Sequence, residues 1–155
     1  MPEAQPIPEN SPRVTPYLIV EDGAAAINFY TSVLGAVEKF RMPTQDGRLA
    51  HAEIAIGDSM IMLSDMDEHN PRAVGGSPVV LHVYVEDADR TYEQAVQAGA
   101  VGIKPVEFQF YGDRNGQFED PFGHRWSIAT HVEDVSPEEM NRRVEQMMTG
   151  APAQQ

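Results

Sequence analysis

Cysteine is absent from this 155-residue chain, which excludes disulfides, thiolate nucleophiles and cysteine-based zinc sites. Basic residues are scarce: 11 lysines and arginines stand against 24 acids, for a formal net charge of −13. A surface of that sign repels nucleic-acid backbones and anionic membranes, so neither is an expected partner. No run approaches the roughly 18 apolar residues of a membrane span. The opening MPEAQPIPENSPR lacks a basic stretch followed by an apolar core, so it reads as an extended arm over residues 1–13 and the protein as soluble and cytoplasmic. There is no glycine-rich phosphate loop and no dinucleotide fingerprint, and Ser59, Ser64 and Ser127 lack a nucleophile-elbow context.

What the chain does contain is a repetition about 65 positions apart. Val20-Glu21-Asp22 opens a helical stretch ending at Leu34-Gly35-Ala36, and Val85-Glu86-Asp87 opens a second ending at Ala98-Gly99-Ala100. Each is preceded by an apolar strand-like run and followed by strand-and-turn segments. A hydrophobic content of 41% suffices for a real core, which two modules of about 60 residues would share.

The first module reads as β-α-β-β-β. Asp22 caps a helix in which Ile27, Phe29, Tyr30 and Leu34 recur at helical spacing, and Gly35 stops it. Strands are predicted over 37–42, 49–56 and 60–63, with Gln45-Asp46-Gly47 as a hairpin turn. The second module repeats the order: a strand over 79–85, a helix from 88 to about 98 capped by Asp87, short strands at 101–105 and 116–119, and a last strand over 124–131. Asp120-Pro121-Phe122-Gly123 makes its final turn. Ser136-Pro137-Glu138-Glu139 starts a further helix running to 148. The expected domain spans 14–148: module one 14–65, connector 66–78, module two 79–132 and the helix 136–148, with 149–155 as a tail.

These paired modules, the Phe29-Tyr30 and Leu34-Gly35-Ala36 landmarks, and the Asp120-Pro121-Phe122-Gly123-His124 turn before the last strand resemble the vicinal oxygen chelate superfamily of glyoxalases, bleomycin-resistance proteins and extradiol dioxygenases. His51-Ala52-Glu53, Gly57-Asp58-Ser59, Met62-Leu63-Ser64-Asp65 and Tyr111-Gly112-Asp113-Arg114 are similar to its PhnB-like branch. The resemblance covers residues 14–145 and implies an α+β fold of two tandem βαβββ modules forming a curved mixed sheet, plus the C-terminal helix. It also implies where metal-dependent relatives hold their cation, on the first and last strand of each module. Those positions are Thr15, Met62, Val80 and Ser127, none of them a good donor for a divalent ion. No cofactor is therefore expected at the usual place.

Alternation along strands assigns the remaining candidates to faces. Val80, His82 and Tyr84 share one, as do Met60, Met62 and Ser64, and as do Arg125, Ser127 and Ala129, while Trp126 and Ile128 lie opposite, toward a helix. His51 and Glu53 also share a face. With His82 they would make a relocated divalent-metal site or a proton-transfer pair, or else be no more than a hydrogen-bonded Glu and a surface His. Gln109, Tyr111 and Arg114 form another candidate cluster, in which Arg114 clamps a ligand carboxylate or phosphate, or pairs with one of the chain's acids. His69, His124 and His131 receive no role. The Met140, Met147 and Met148 stripe docks a helix or seals a homodimer.

Two functions remain open at this level. One is metal-independent binding of an apolar or aromatic small molecule by His82, Tyr84, Met60, Met62, Gln109, Tyr111, Arg114 and Arg125. The other is a lyase or isomerase that uses His51, Glu53 and His82, with or without a metal. A dimeric interaction module is a third possibility.

Overall fold

The computed structural model describes residues 5–68 and 77–150. His69 and most of the predicted connector lie outside them. The chain divides into two compact units, 1–75 and 76–155. The first runs β1 (Tyr17–Val20), α1 (Gly23–Leu34), β2 (Val37–Pro43), β3 (Leu49–Ile56) and β4 (Ser59–Asp65). The second repeats it as β5 (Val80–Tyr84), α2 (Ala88–Gln97), β6 (Val101–Phe108), β7 (Asp113–Glu119) and β8 (Arg125–His131), followed by α3 (Pro137–Met148). The fold is α+β. Each unit holds one four-stranded mixed sheet, ordered β1-β4-β3-β2 and β5-β8-β7-β6, with its first strand parallel to its last.

Local chemistry starts the helices where the sequence reading placed them. Asp22, Asp87 and Ser136 are extended residues whose side chains accept from the backbone N–H three positions on. Gly35 ends α1 in the left-handed region at φ 67°, which costs a glycine little. In the first unit Leu18, Val20, Ile54, Ile61 and Leu63 are buried on one face of the sheet, together with Ile27, Tyr30 and Val33 of α1. In the second, Phe118, Trp126 and Ile128 are buried along with Ala88, Thr91 and Ala95 of α2.

The 65-residue ruler extends to a staple that the sequence reading did not anticipate. Buried Asp65, at the end of β4, accepts from Gly23 N at 2.9 Å and from Leu49 N at 2.6 Å. Its counterpart Thr130 accepts from Ala88 N at 2.8 Å and donates to Val85 O. Both tie the first residue of a helix to the last strand, satisfying an N–H that has no partner within its helix.

Three segments differ from the sequence reading. β6 and β7 are longer than predicted, because β6 carries register shifts between Gly102 and Lys104 and between Lys104 and Glu107 that break the two-residue alternation. Pro105 is tolerated there because β6 is an edge strand. α3 buries none of its residues completely and leaves Met147 and Met148 exposed. It is held by Arg143, which donates to Phe110 O at 2.9 Å and pairs with Glu133 at 2.6 Å. Among the described residues no helix is long and apolar enough to cross a membrane.

Candidate functional site

Strand register groups the candidate residues into rows across each sheet, on the face away from its helix. In the first unit one row reads Tyr17, Met62, Glu53, Phe40 across β1, β4, β3 and β2. His51 and Met42 follow as paired neighbours on the same face, and Met60 precedes Met62 on β4. Directly paired residues share a face, so these side chains form one surface.

A hydrogen-bonded chain crosses that surface. The Tyr17 hydroxyl lies 3.0 Å from His51 Nδ1, and His51 Nε2 lies 3.4 Å from Glu53 Oε1. A carboxylate only accepts, so the proton lies on Nε2 toward Glu53, and a ring carrying that one proton takes the Tyr17 O–H at Nδ1. Phe40 and Tyr17 flank the imidazole with centroids 6.1 and 5.5 Å away. Tyr17, Phe40 and Met42 are each nearly half exposed, at 46%, 48% and 47%.

The equivalent row in the second unit is His82, Ser127, Gln117, Lys104. His82 Nδ1 lies 2.9 Å from Ser127 Oγ, which also accepts from Asn115 Nδ2 at 2.7 Å. Asn115 Nδ2 donates to Ile128 O as well, and a carbonyl cannot donate, so the amide orientation is settled. Next to this row Tyr84 donates to buried Asp113 at 2.9 Å, and His131 lies 2.8 Å from the other Asp113 oxygen. The Tyr84 hydroxyl pKa is raised, chiefly because it donates to Asp113.

His131 is likewise held above its ordinary value of 6.5, by Asp113 first and then Asp134. A raised imidazole value stabilises the fold fully below its unfolded pKa, and the contribution fades as pH rises through the folded one. The melting-temperature advantage of the parent over His131→Gln is therefore expected to be largest near pH 5–6 and to shrink at higher pH, as read in a pH series of thermal melts. An advantage that grows with pH would refute this.

The sequence candidates fall into place unevenly. Met60, Met62, His51 and Glu53 share the face of the first unit, and His82, Tyr84, Arg125 and Ser127 that of the second. Trp126 is buried on the opposite face, its indole donating to Asp120. The cluster of Gln109, Tyr111 and Arg114 does not assemble. Gln109 and Tyr111 lie in the turn between β6 and β7, where Gln109 donates to its neighbour Glu107 O and Tyr111 packs edge-on to Phe110. Arg114 pairs with Thr130 on the α2 side and forks onto Asp89 through two 2.8 Å bonds. Its carboxylate clamp is thus filled by the protein's own helix. Tyr17, Phe40, Met42, Asn115 and Asp113 were missed. Tyr17 had a usable signal, since it stands 65 positions before His82.

The donor set at the superfamily's metal positions does not fit a divalent cation. Val80 offers no donor, Met62 a soft thioether, Thr15 only a neutral hydroxyl ahead of β1, and the Ser127 hydroxyl is already engaged by His82 and Asn115. Among the described residues no three His, Cys, Asp or Glu side chains gather into a group able to hold a metal ion.

Comparison with known proteins bears on the scaffold. The family model for the Glyoxalase/Bleomycin resistance protein/Dioxygenase superfamily matches residues 12–128. An uncharacterised protein of Mycobacterium tuberculosis strain H37Rv is 39% identical, the match covering 83% of this chain and 80% of that one. Among solved structures, the PhnB protein of Bacillus cereus matches with TM-score 0.63 at 19% identity, over 77% of this chain and 99% of that one. The fosfomycin resistance protein FosX of Mesorhizobium loti matches with TM-score 0.58 at 18% identity, over 76% and 89%. At these identities the two structures establish shared fold alone.

Proposed function

The chain belongs to the Glyoxalase/Bleomycin resistance protein/Dioxygenase superfamily, and from that premise we propose that it binds an apolar or aromatic small molecule without a metal, on the exposed sheet face of its first unit. One observation carries the reading: the Tyr17, Met62, Glu53, Phe40 row, where half-exposed rings and thioethers surround a fixed imidazole-carboxylate pair. Rings and thioethers gathered on one surface with few polar groups suit a flat ligand, and methionine repacks to follow its outline.

The test uses a neutral probe, 2-naphthylmethanol, titrated into protein carrying 13C-methyl methionine. Shifts are expected at Met42, Met60 and Met62, and Tyr17→Ala with Phe40→Ala should weaken binding about tenfold or more. Shifts confined to Met147 and Met148 of α3, or binding unchanged in Tyr17→Ala with Phe40→Ala, would sink the proposal.

A second reading, an acid-base enzyme, is favoured by the Glu53-His51-Tyr17 chain, because a base oriented by a third group is a recurrent catalytic arrangement. Native mass spectrometry of freshly purified protein separates the two. A co-purified compound retained unchanged on incubation supports binding, and one converted to a new mass supports catalysis.

A further inference from the structure

The face of the first unit has spent its proton donors on itself. His51 gives Nε2–H to Glu53 and receives the Tyr17 O–H at Nδ1. What remains toward a ligand is acceptors: the Tyr17 oxygen lone pairs, the second Glu53 oxygen, and the sulfurs of Met42, Met60 and Met62. The Glu53 side chain is 30% exposed, so its free oxygen is reachable, and no lysine or arginine lies within 4 Å of it among the described residues. The rings of Tyr17 and Phe40 add negative π faces.

The equivalent row of the second unit has the opposite character. Ser127 accepts from Asn115, and His82 Nδ1 lies 2.9 Å from the same hydroxyl oxygen, so both polar groups are tied to each other. Gln117 and Lys104 continue that row, and Arg125 on the same face is exposed with no ion-pair partner among the described residues. The two rows share strand register but have divergent hydrogen-bond polarity, so the acceptor character belongs to these residues and not to the fold.

We infer that the ligand of the first-unit face is a protonated amine on an aromatic or apolar frame, its N–H groups taken by Glu53 and the Tyr17 oxygen and its charge set against the Tyr17 and Phe40 rings. This rests on the small-molecule-binding reading and names the ligand's chemical class. The 24 acids against 11 basic residues favour the same choice, since a negative surface raises the local concentration of cations.

Three probes of one shape test it: 2-naphthylmethylamine, 2-naphthylmethanol and 2-naphthoate, each titrated against the methionine methyl resonances. The amine is expected to bind about tenfold or more tightly than the alcohol, the size of one charge-assisted hydrogen bond, with the carboxylate weakest. In Glu53→Gln the ratio of amine to alcohol affinity should fall toward one, and because both ligands are read in the same protein the ratio is insensitive to a general loss of stability. Equal affinity for amine and alcohol in the parent, or tightest binding of the carboxylate, overturns the inference and leaves small-molecule binding standing. No methyl shift with any of the three overturns both.

Discussion

Asp120→Ala is expected to cost about 3–5 kcal/mol of stability. Buried Asp120 accepts three hydrogen bonds at 2.9 Å: Phe122 N and His124 N on one oxygen, and the Trp126 indole on the other. The alanine strips all three donors at once, two in a backbone turn and one in the core, and an unmet buried donor costs about 1–3 kcal/mol. Asp120→Asn is the informative control. Its amide oxygen can keep the two backbone bonds, but its NH2 group faces an indole that only donates, so about half the loss should return. Urea unfolding followed by Trp126 fluorescence and by circular dichroism measures both, and a midpoint for Asp120→Ala within error of the parent would refute the account.

Gly112→Ala is expected to be comparably severe, about 3 kcal/mol or more. Gly112 sits at φ 98°, a backbone region that side chains rarely adopt, and a Cβ there would overlap the Glu133 carbonyl oxygen. Backbone cannot step aside as a side-chain tip can, because Gly112 O itself accepts from Val132 N at 2.9 Å and Glu133 N at 3.0 Å. Gly47 separates the two causes. It has φ 84° with nothing near its absent Cβ, so Gly47→Ala should cost about 1 kcal/mol, from conformation alone. Equal losses at the two positions would show that the overlap with Glu133 is unimportant.

Much of the fold was legible because it rests on short-range rules. Caps at Asp22, Asp87 and Ser136, the Gly35 stop and the helix-side burial of Trp126 follow from groups within a few residues of one another or from alternation along a single strand. The repeat added a longer ruler. It aligned Met62 with Ser127 and, had it been carried two positions along the first strand, would have aligned Tyr17 with His82. Arg114 shows where such reasoning stops. Its face depends on where β7 begins, so the sequence left it either clamping a ligand or pairing with one of the chain's acids, and the structure shows the second, with Asp89 as the acid.

The candidate site was half legible for a related reason. His51 and Glu53 are two residues apart on one strand, and their common face follows from the pleat. Their partners come from elsewhere: Tyr17 is 34 positions from His51, across the intervening β4, and Phe40 arrives through the β2 register. No spacing rule links those positions.

The sequence by itself determined the repeated βαβββ order, which follows from local periodicity and caps, and the superfamily, which follows from the match over residues 12–128. Only the tertiary structure decided which side chains meet. Register between strands distant in the chain joined Tyr17 to His51 and Ser127 to His82 and Asn115. That pairing, together with Glu53 on one row and Lys104 on the other, turned two copies of one scaffold into surfaces of different polar character.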